Sequence, residues 1–431
     1  SDFALDGKLT PWLGMSIEEF GEMNRAFVIG SFLRKDHPLL AARLRHAAKR
    51  GAKVSILHAS DDELLIPLAN RMIKAPSAWL SALSEVVVAV AQAKGISAPS
   101  GFDNIEPGEI AKGIAASLLS GDKKAVVLGN AAAQHPQASQ LHAAAQWIAQ
   151  NTDAKFGYLT EAANTVGGYL ANAIPGKGAN ALQMFAQARK AYVLLHAEPE
   201  YDSYDPQAAR AALSGAEMVV ALSPYKHGAD FADVLLPIAP FAETSGTFVN
   251  CEGRAQGFNG SVKPLGETRP AWKVLRVLGN LLGLSGFDYE TSEQIRAELL
   301  GTKIAEDADI KSRLNNIVNA QPQAAKQGAE VQLERVADVP IYFTDAIVRR
   351  AESLQLTSDA QAPKAWLSAS AAEKLGVSDG MPVKVTQGQG AAVLAAAIDV
   401  KLPANVIRVA AGHPSTTGLG GMFGAVSVEK A

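Results

Sequence analysis

Between Ala232 and Gln256 the chain reads ADVLLPIAPFAETSGTFVNCEGRAQ, and its second half gathers side chains that could recognise a ligand. Gly246 and Gly253 permit positive φ and a close approach to the backbone. Asn250, Arg254 and Gln256 supply planar donors suited to a phosphate or the edge of a heterocycle, with Glu252 among them. Pro237 and Pro240 break the apolar start, so the segment has the character of a strand running into a loop built to hold something. Three other places carry small or polar residues at the end of an apolar run: Gly30 and Ser31, Gly129 and Asn130, Glu198 and Pro199. A βα turn uses Gly and Asn for its own geometry. These residues become a site only if they converge.

Strands followed by helices would bring them together. AFVIGS leads into the helical spacing of DHPLLAARLRHAAKRG and then into AKVSILHA, one βαβ unit. AVVLGN with SQLHAAAQWIAQ adds a strand and a helix, and AYVLLHAE, PQAARAALSGA and EMVVALSP make another unit. Alternation of this kind predicts an α/β fold with parallel sheets covered on both faces and ligand loops at the strands' carboxyl ends. The stretch from Ala271 to about Leu333 has a helical pattern, followed by a polar surface connection. From Ala365 short strands broken by Gly and Pro predict a small β-barrel. The expected organisation is an α/β region over 1–270, divisible near 115–125, a helical connection over 271–350 and a β-barrel over 351–431.

Other chemistries find little support. The net charge of −3 gives no electrostatic case for nucleic acid as partner, and no apolar run is long enough to insert in a membrane. One cysteine, Cys251, excludes an internal disulfide and a cluster held by this chain's own thiolates. His135 and His142 lie near each other, but Pro136 interrupts a helix between them, and there is no HExxH, GxSxG, GxxxxGK[ST] or GxGxxG pattern.

The run ADVLLPIAPFAE followed by GTFVNCEGRAQ resembles the E(x)nGTFxNxEGRxQ signature of the molybdopterin oxidoreductase superfamily. Leu375, Gly376, Asp379, Gly380, Val383 and Val385 resemble its LGxxDGxxVxV motif, which implies a C-terminal double-psi β-barrel. GSFLRKDHPLLAARLRHAAKRGAKV, VPIYFTDAIVRRAESLQ and GMFGAVSVEKA are similar to the branch formed by the large iron–sulfur subunits of bacterial complex I, the NADH:quinone oxidoreductase. That branch carries 4Fe-4S and 2Fe-2S clusters in an N-terminal, cysteine-rich region, so the resemblance implies a C-terminal fragment, inactive by itself. It further implies a scaffold beside the other peripheral-arm subunits, peripheral on the cytoplasmic side of the bacterial inner membrane.

Two departures argue against a bound molybdopterin. Phe32 stands where active members carry Asn, and His58, Ala59 and Ser60 where they tend to have Asp-Pro-Arg. Gly30, Ser31, Asn130, Gly246, Asn250, Glu252, Gly253, Arg254 and Gln256 are then vestiges of a cofactor site, with no catalytic or metal-binding residue assigned. Three expectations follow. The strand ends at Ser31, Asn130 and Glu198 should face Thr244 to Gln256. Arg254 should hold a carboxylate or carbonyls within the chain. Leu5, Pro11, Trp12 and Leu13 should form an apolar docking patch. The competing functions are an active molybdenum or tungsten pterin enzyme of the formate dehydrogenase type and a nucleotide-binding α/β module.

Overall fold

A computed structural model describes residues 9–175, 178–301, 307–325 and 333–431. Strands β1 (Arg25–Ile29), β2 (Lys53–His58), β3 (Leu68–Ile73), β4 (Lys124–Leu128) and β5 (Lys155–Tyr158) form a wholly parallel sheet of order β3-β2-β1-β4-β5. Their near-continuous apolar sequence is what a sheet buried on both faces requires. Alternate residues serve opposite cores. Phe27 and Ile29 join Trp79, Val86 and Leu141 on one face, whereas Ala26 and Val28 join Leu33, Leu44 and Ile56 on the other. The helix Pro38–Lys49 starts on a proline, whose fixed φ suits a first turn.

A second parallel sheet, β6 (Ala191–Leu195), β7 (Met218–Ser223) and β8 (Val234–Pro237), runs in simple sequence order. Right-handed crossovers between strands taken in order fall on one face. There the helix Pro206–Ser214 packs Ala212 and Leu213 on Tyr192 and Val219. The other face leaves Val193, Leu195, Met218 and Val234 exposed.

The hairpin of β9 (Gly246–Val249) and β10 (Ala255–Phe258) is followed by helices Ala271–Leu281, Ser292–Leu300 and Asp307–Lys311. Among the described residues no helix follows Lys311 where the sequence pattern predicts one, because the asparagines beyond it bind elsewhere. Asn315 Oδ1 accepts from Ile317 N at 2.9 Å, and the Asn316 side chain holds Trp12 N and O and the Phe156 carbonyl at 2.9–3.0 Å.

The remaining strands are β11 (Glu334–Val336), β12 (Ala365–Leu367), β13 (Pro382–Gln387), β14 (Gly390–Ile398), β15 (Val406–Arg408), β16 (Phe423–Ala425) and β17 (Ser427–Lys430). They form one mixed sheet of order β16-β11-β15-β12-β14-β13-β17. β16 and β17 stand at opposite ends of that order, yet only Val426 separates them, so the sheet curls into a barrel-like form. β11 enters it ahead of residue 351. Val336, Val406 and Phe423 share the core of the first sheet, which fixes the barrel against the strand ends.

The expected docking patch near the start is corrected. Leu13 is fully buried, Pro11 is buried, and Trp12 packs against the cluster of Val166, Leu170 and Val249. Tyr158 N donates to Trp12 O at 2.7 Å, so this segment lies along the outer edge of the five-stranded sheet. Leu5 falls outside the described residues.

Candidate functional site

Sequence order reverses between β1 and β4, so their following loops diverge and leave a crevice at the carboxyl ends. The two turns touch. Gly30 has φ +61°, and a Cβ on it would lie 2.7 Å from the Ala132 amide nitrogen. A Cβ on Gly129 would meet the Ser31 Cβ at 2.3 Å, so both positions need glycine. Ser31 and Asn130 are thereby brought together, and Ser31 Oγ and Asn130 Oδ1 are buried without a hydrogen-bond partner among the described residues.

A cleft of about 650 Å³ opens here, between the strand ends, the Tyr201–Tyr204 segment and the barrel. Its charged lining is Asp36, Glu161, Asp202 and Asp338 against Lys35. Burial pushes the Asp36 carboxyl up to about 7, with the charges of Asp338 and Glu161 adding to it. Burial also raises Glu161, against the hydrogen bond from Gln134; the side chain is hemmed by protein yet open to solvent, so this push is screened.

Beneath the cleft Arg408 is fully committed. Its Nε and Nη2 donate to the two Asp338 carboxylate oxygens at 3.1 and 2.7 Å, and Nη1 donates to Asp62 at 3.0 Å. Burial raises Asp338, but the Arg408 charge and hydrogen bonds outweigh it and hold the carboxyl below its usual range. The guanidinium lies 4.8 Å from the Phe32 ring centroid, and the His58 ring meets the same phenyl edge-on at 4.5 Å. Burial lowers His58 to about 4, so it is neutral, and neither ring nitrogen has a hydrogen-bond partner among the described residues.

Glu198, at the end of β6, is sealed off. Arg349 Nη1 and Arg350 Nη2 reach its carboxylate at 2.8 and 2.6 Å, and Arg349 also pairs with Asp202.

The signature residues do not face this cleft, contrary to the expected convergence. They build the turn between β9 and β10. Asn250 Oδ1 accepts from Glu252 N and Arg254 N at 3.1 and 2.9 Å, and Gly253 takes φ +82° against Leu314. The turn pins the start of the chain: Leu13 N donates to the Cys251 carbonyl at 2.7 Å, and Ile17 N to Glu252 Oε2 at 2.8 Å, where the carboxylate meets a helix N-terminus. Burial, then the Glu252 charge, pushes the Cys251 thiol up to about 11, which leaves it unreactive. Gln256 is exposed. Arg254 is also exposed, and its guanidinium makes no hydrogen bond or ion pair among the described residues, which corrects the role expected of it. Its backbone serves the turn while its side chain stays in water. Gly246 instead lines a second cavity of about 240 Å³, with Thr247, Trp272, Ser292 and Arg296.

Asp36, Glu161, Asp338 and Arg408 carry no motif that sequence reasoning could find, for they meet from four distant segments. Arg349 and Arg350 belong to VPIYFTDAIVRR, which registers in the sequence only as a likeness to one branch.

Comparison with known proteins agrees with this architecture. Acetylene hydratase from Pelobacter acetylenicus superposes with a TM-score of 0.65 at 16% identity, over 99% of this chain and 80% of its own. A formate-dehydrogenase-like protein of Staphylococcus aureus (strain bovine RF122 / ET3-1) is 42% identical over 71 residues, 16% of this chain and 7% of its own length. The mitochondrial NADH-ubiquinone oxidoreductase 78 kDa subunit of Neurospora crassa is 32% identical over 139 residues, 31% of this chain and 18% of that subunit. The matched stretches thus span less than a fifth of either relative. The family model for molybdopterin oxidoreductases matches residues 4–281, well over half of the sequence, and the chain belongs to the molybdopterin oxidoreductase family.

Proposed function

We propose that this chain is a non-catalytic scaffold in an NADH:quinone oxidoreductase of the complex I type, a counterpart of the 78 kDa subunit, and that its cleft takes no molybdopterin. Arg408 carries this proposal. Its guanidinium binds the cleft-lining Asp338, and Asp338, Asp62 and the Phe32 face consume it. A phosphate-bearing nucleotide placed in the cleft would find its cations already engaged: Arg408 is bound to Asp338, Arg349 to Asp202, and the lining Lys35 to Asp359, while Glu161 and Asp36 add carboxyl groups to the wall. The residues present do not fit that group. Phe32, His58 and the Arg408 cluster instead join the sheet to the barrel. A scaffold of this kind contributes by fixing positions, holding cluster-bearing segments and neighbouring subunits in register.

The 42% identical stretch in the formate-dehydrogenase-like relative favours a second reading, an active molybdenum or tungsten pterin enzyme. Metal analysis of the purified chain, with dye reduction by formate, separates the two. The scaffold reading expects molybdenum and tungsten far below one per chain and no formate-dependent reduction. Stoichiometric metal with turnover would establish the enzyme.

A further inference from the structure

We propose that the cavity behind the signature hairpin binds a small monocarboxylate with an apolar body. The cavity, about 240 Å³, lies between β9, the helices Ala271–Leu281 and Ser292–Leu300, and the segment carrying Asn164 and Ala171. Val249, Ile295, Leu299 and Leu300 give it an apolar wall. Its polar side combines donors with side chains that both donate and accept, Asn164 and Thr247 among them. Arg296 and Trp272 line it, as do Ser245 and Ser292, whose hydroxyls lie 3.1 Å apart.

Charge sets the class of ligand. Among the described residues no Asp or Glu lines this cavity, and Arg296 has no ion pair. Trp272 Nε1 and Arg296 Nε are both buried without a hydrogen-bond partner among the described residues. A buried donor left unpaired is costly, and an acceptor entering the cavity would reach the two side chains that carry these donors. A carboxylate supplies it, since its two oxygens suit the fork of a guanidinium and still accept from an indole N–H. The apolar wall then requires a hydrocarbon body, and the volume excludes a dinucleotide.

The back of the cavity is rigid. A Cβ on Gly246 would lie 2.8 Å from Phe258 Cζ, and that ring packs with Phe241 and Phe248 at centroid distances of 4.9 and 5.0 Å. The glycine of the signature thereby lets an aromatic cluster support one wall.

Isothermal titration of the full chain with benzoate tests the assignment, with benzylamine as its cationic counterpart. Benzoate should bind one site in the millimolar range or tighter, and benzylamine should give no saturable signal. Arg296→Gln should weaken benzoate by about tenfold or more, the loss of charged hydrogen bonds. Ala171→Leu, which adds bulk at a lining position and leaves the charge in place, should weaken it similarly. Arg254→Gln, outside the cavity, should bind as the parent does. If Arg296→Gln fails to fold, the Ala171→Leu comparison decides. Absence of saturable benzoate binding at about 10 mM, unchanged binding in folded Arg296→Gln or Ala171→Leu, or equal binding of benzylamine would overturn the proposal. None of these outcomes depends on whether the chain is scaffold or enzyme.

Discussion

The cleft at the ends of β1 and β4 and the cavity behind the signature hairpin differ in how their charges are committed. In the first, the topology makes a ligand crevice, but Arg408 is bound to Asp338 and Asp62 and the open wall is acidic. In the second, a smaller space has, among the described residues, a guanidinium Nε and an indole N–H without partners and no carboxylate in its lining. Sheet topology fixes where a ligand could sit. The pairing of side chains fixes which chemistry remains there, and here the two have separated.

Removing the pairing in the cleft should have the largest effect. Asp338→Ala leaves a half-buried guanidinium without its bidentate partner and should cost roughly 3 kcal/mol in urea denaturation. Adding Arg408→Met should recover part of that, because an apolar replacement removes the under-paired charge, while Asp62 loses its guanidinium partner. Equal losses in the single and double variants would show that the ion pair is not what joins sheet and barrel.

Proton linkage should follow. Asp36 in the fold holds its proton up to about pH 7, above its ordinary value of 3.8, so the native state binds more protons than the unfolded chain across that interval. Its stabilising contribution is full below about pH 4 and is lost as pH rises through 7. His58 acts oppositely: its folded value near 4 lies below the ordinary 6.5, so its contribution is lost as pH falls from 6.5 towards 4. Asp36→Asn should therefore unmask stability that rises with pH from 4 to 6.5, by on the order of 1–2 kcal/mol relative to the parent once solvent screening is allowed for. Urea melts at pH 4.5 and 7.5 measure it, and parallel profiles for the two proteins would refute it.

In the hairpin the effects should be smaller. Gly253→Ala forces a Cβ at φ +82° towards Leu314 and should cost roughly 1–2 kcal/mol by thermal or urea melting. Arg254→Ala should change stability by less than about 0.5 kcal/mol, because an exposed guanidinium without partners among the described residues leaves nothing broken. A loss above 1 kcal/mol would mean that Arg254 is engaged in solution.

Local pattern alone determined a good deal of this protein. Continuous apolar runs marked β1, β2, β4, β6 and β7, and helical spacing marked Pro38–Lys49 and Pro206–Ser214, because burial on a sheet or a helix face imposes a short period that neighbouring residues must satisfy. Gly30, Gly129 and Gly253 could be singled out because a tight turn excludes a side chain whatever surrounds it. The tertiary structure decided the rest. It buried Leu13 along β5, turned the chain out of helix at Asn316, drew β11 into the barrel and put Arg254 in water. It alone brought Asp36, Asp62, Asp338 and Arg408 to one crevice and left Trp272 Nε1 and Arg296 Nε without partners among the described residues beside another. Charge pairing acts over a few ångströms of space, and residues hundreds of positions apart in the chain reach that distance only once the sheets and the barrel have packed.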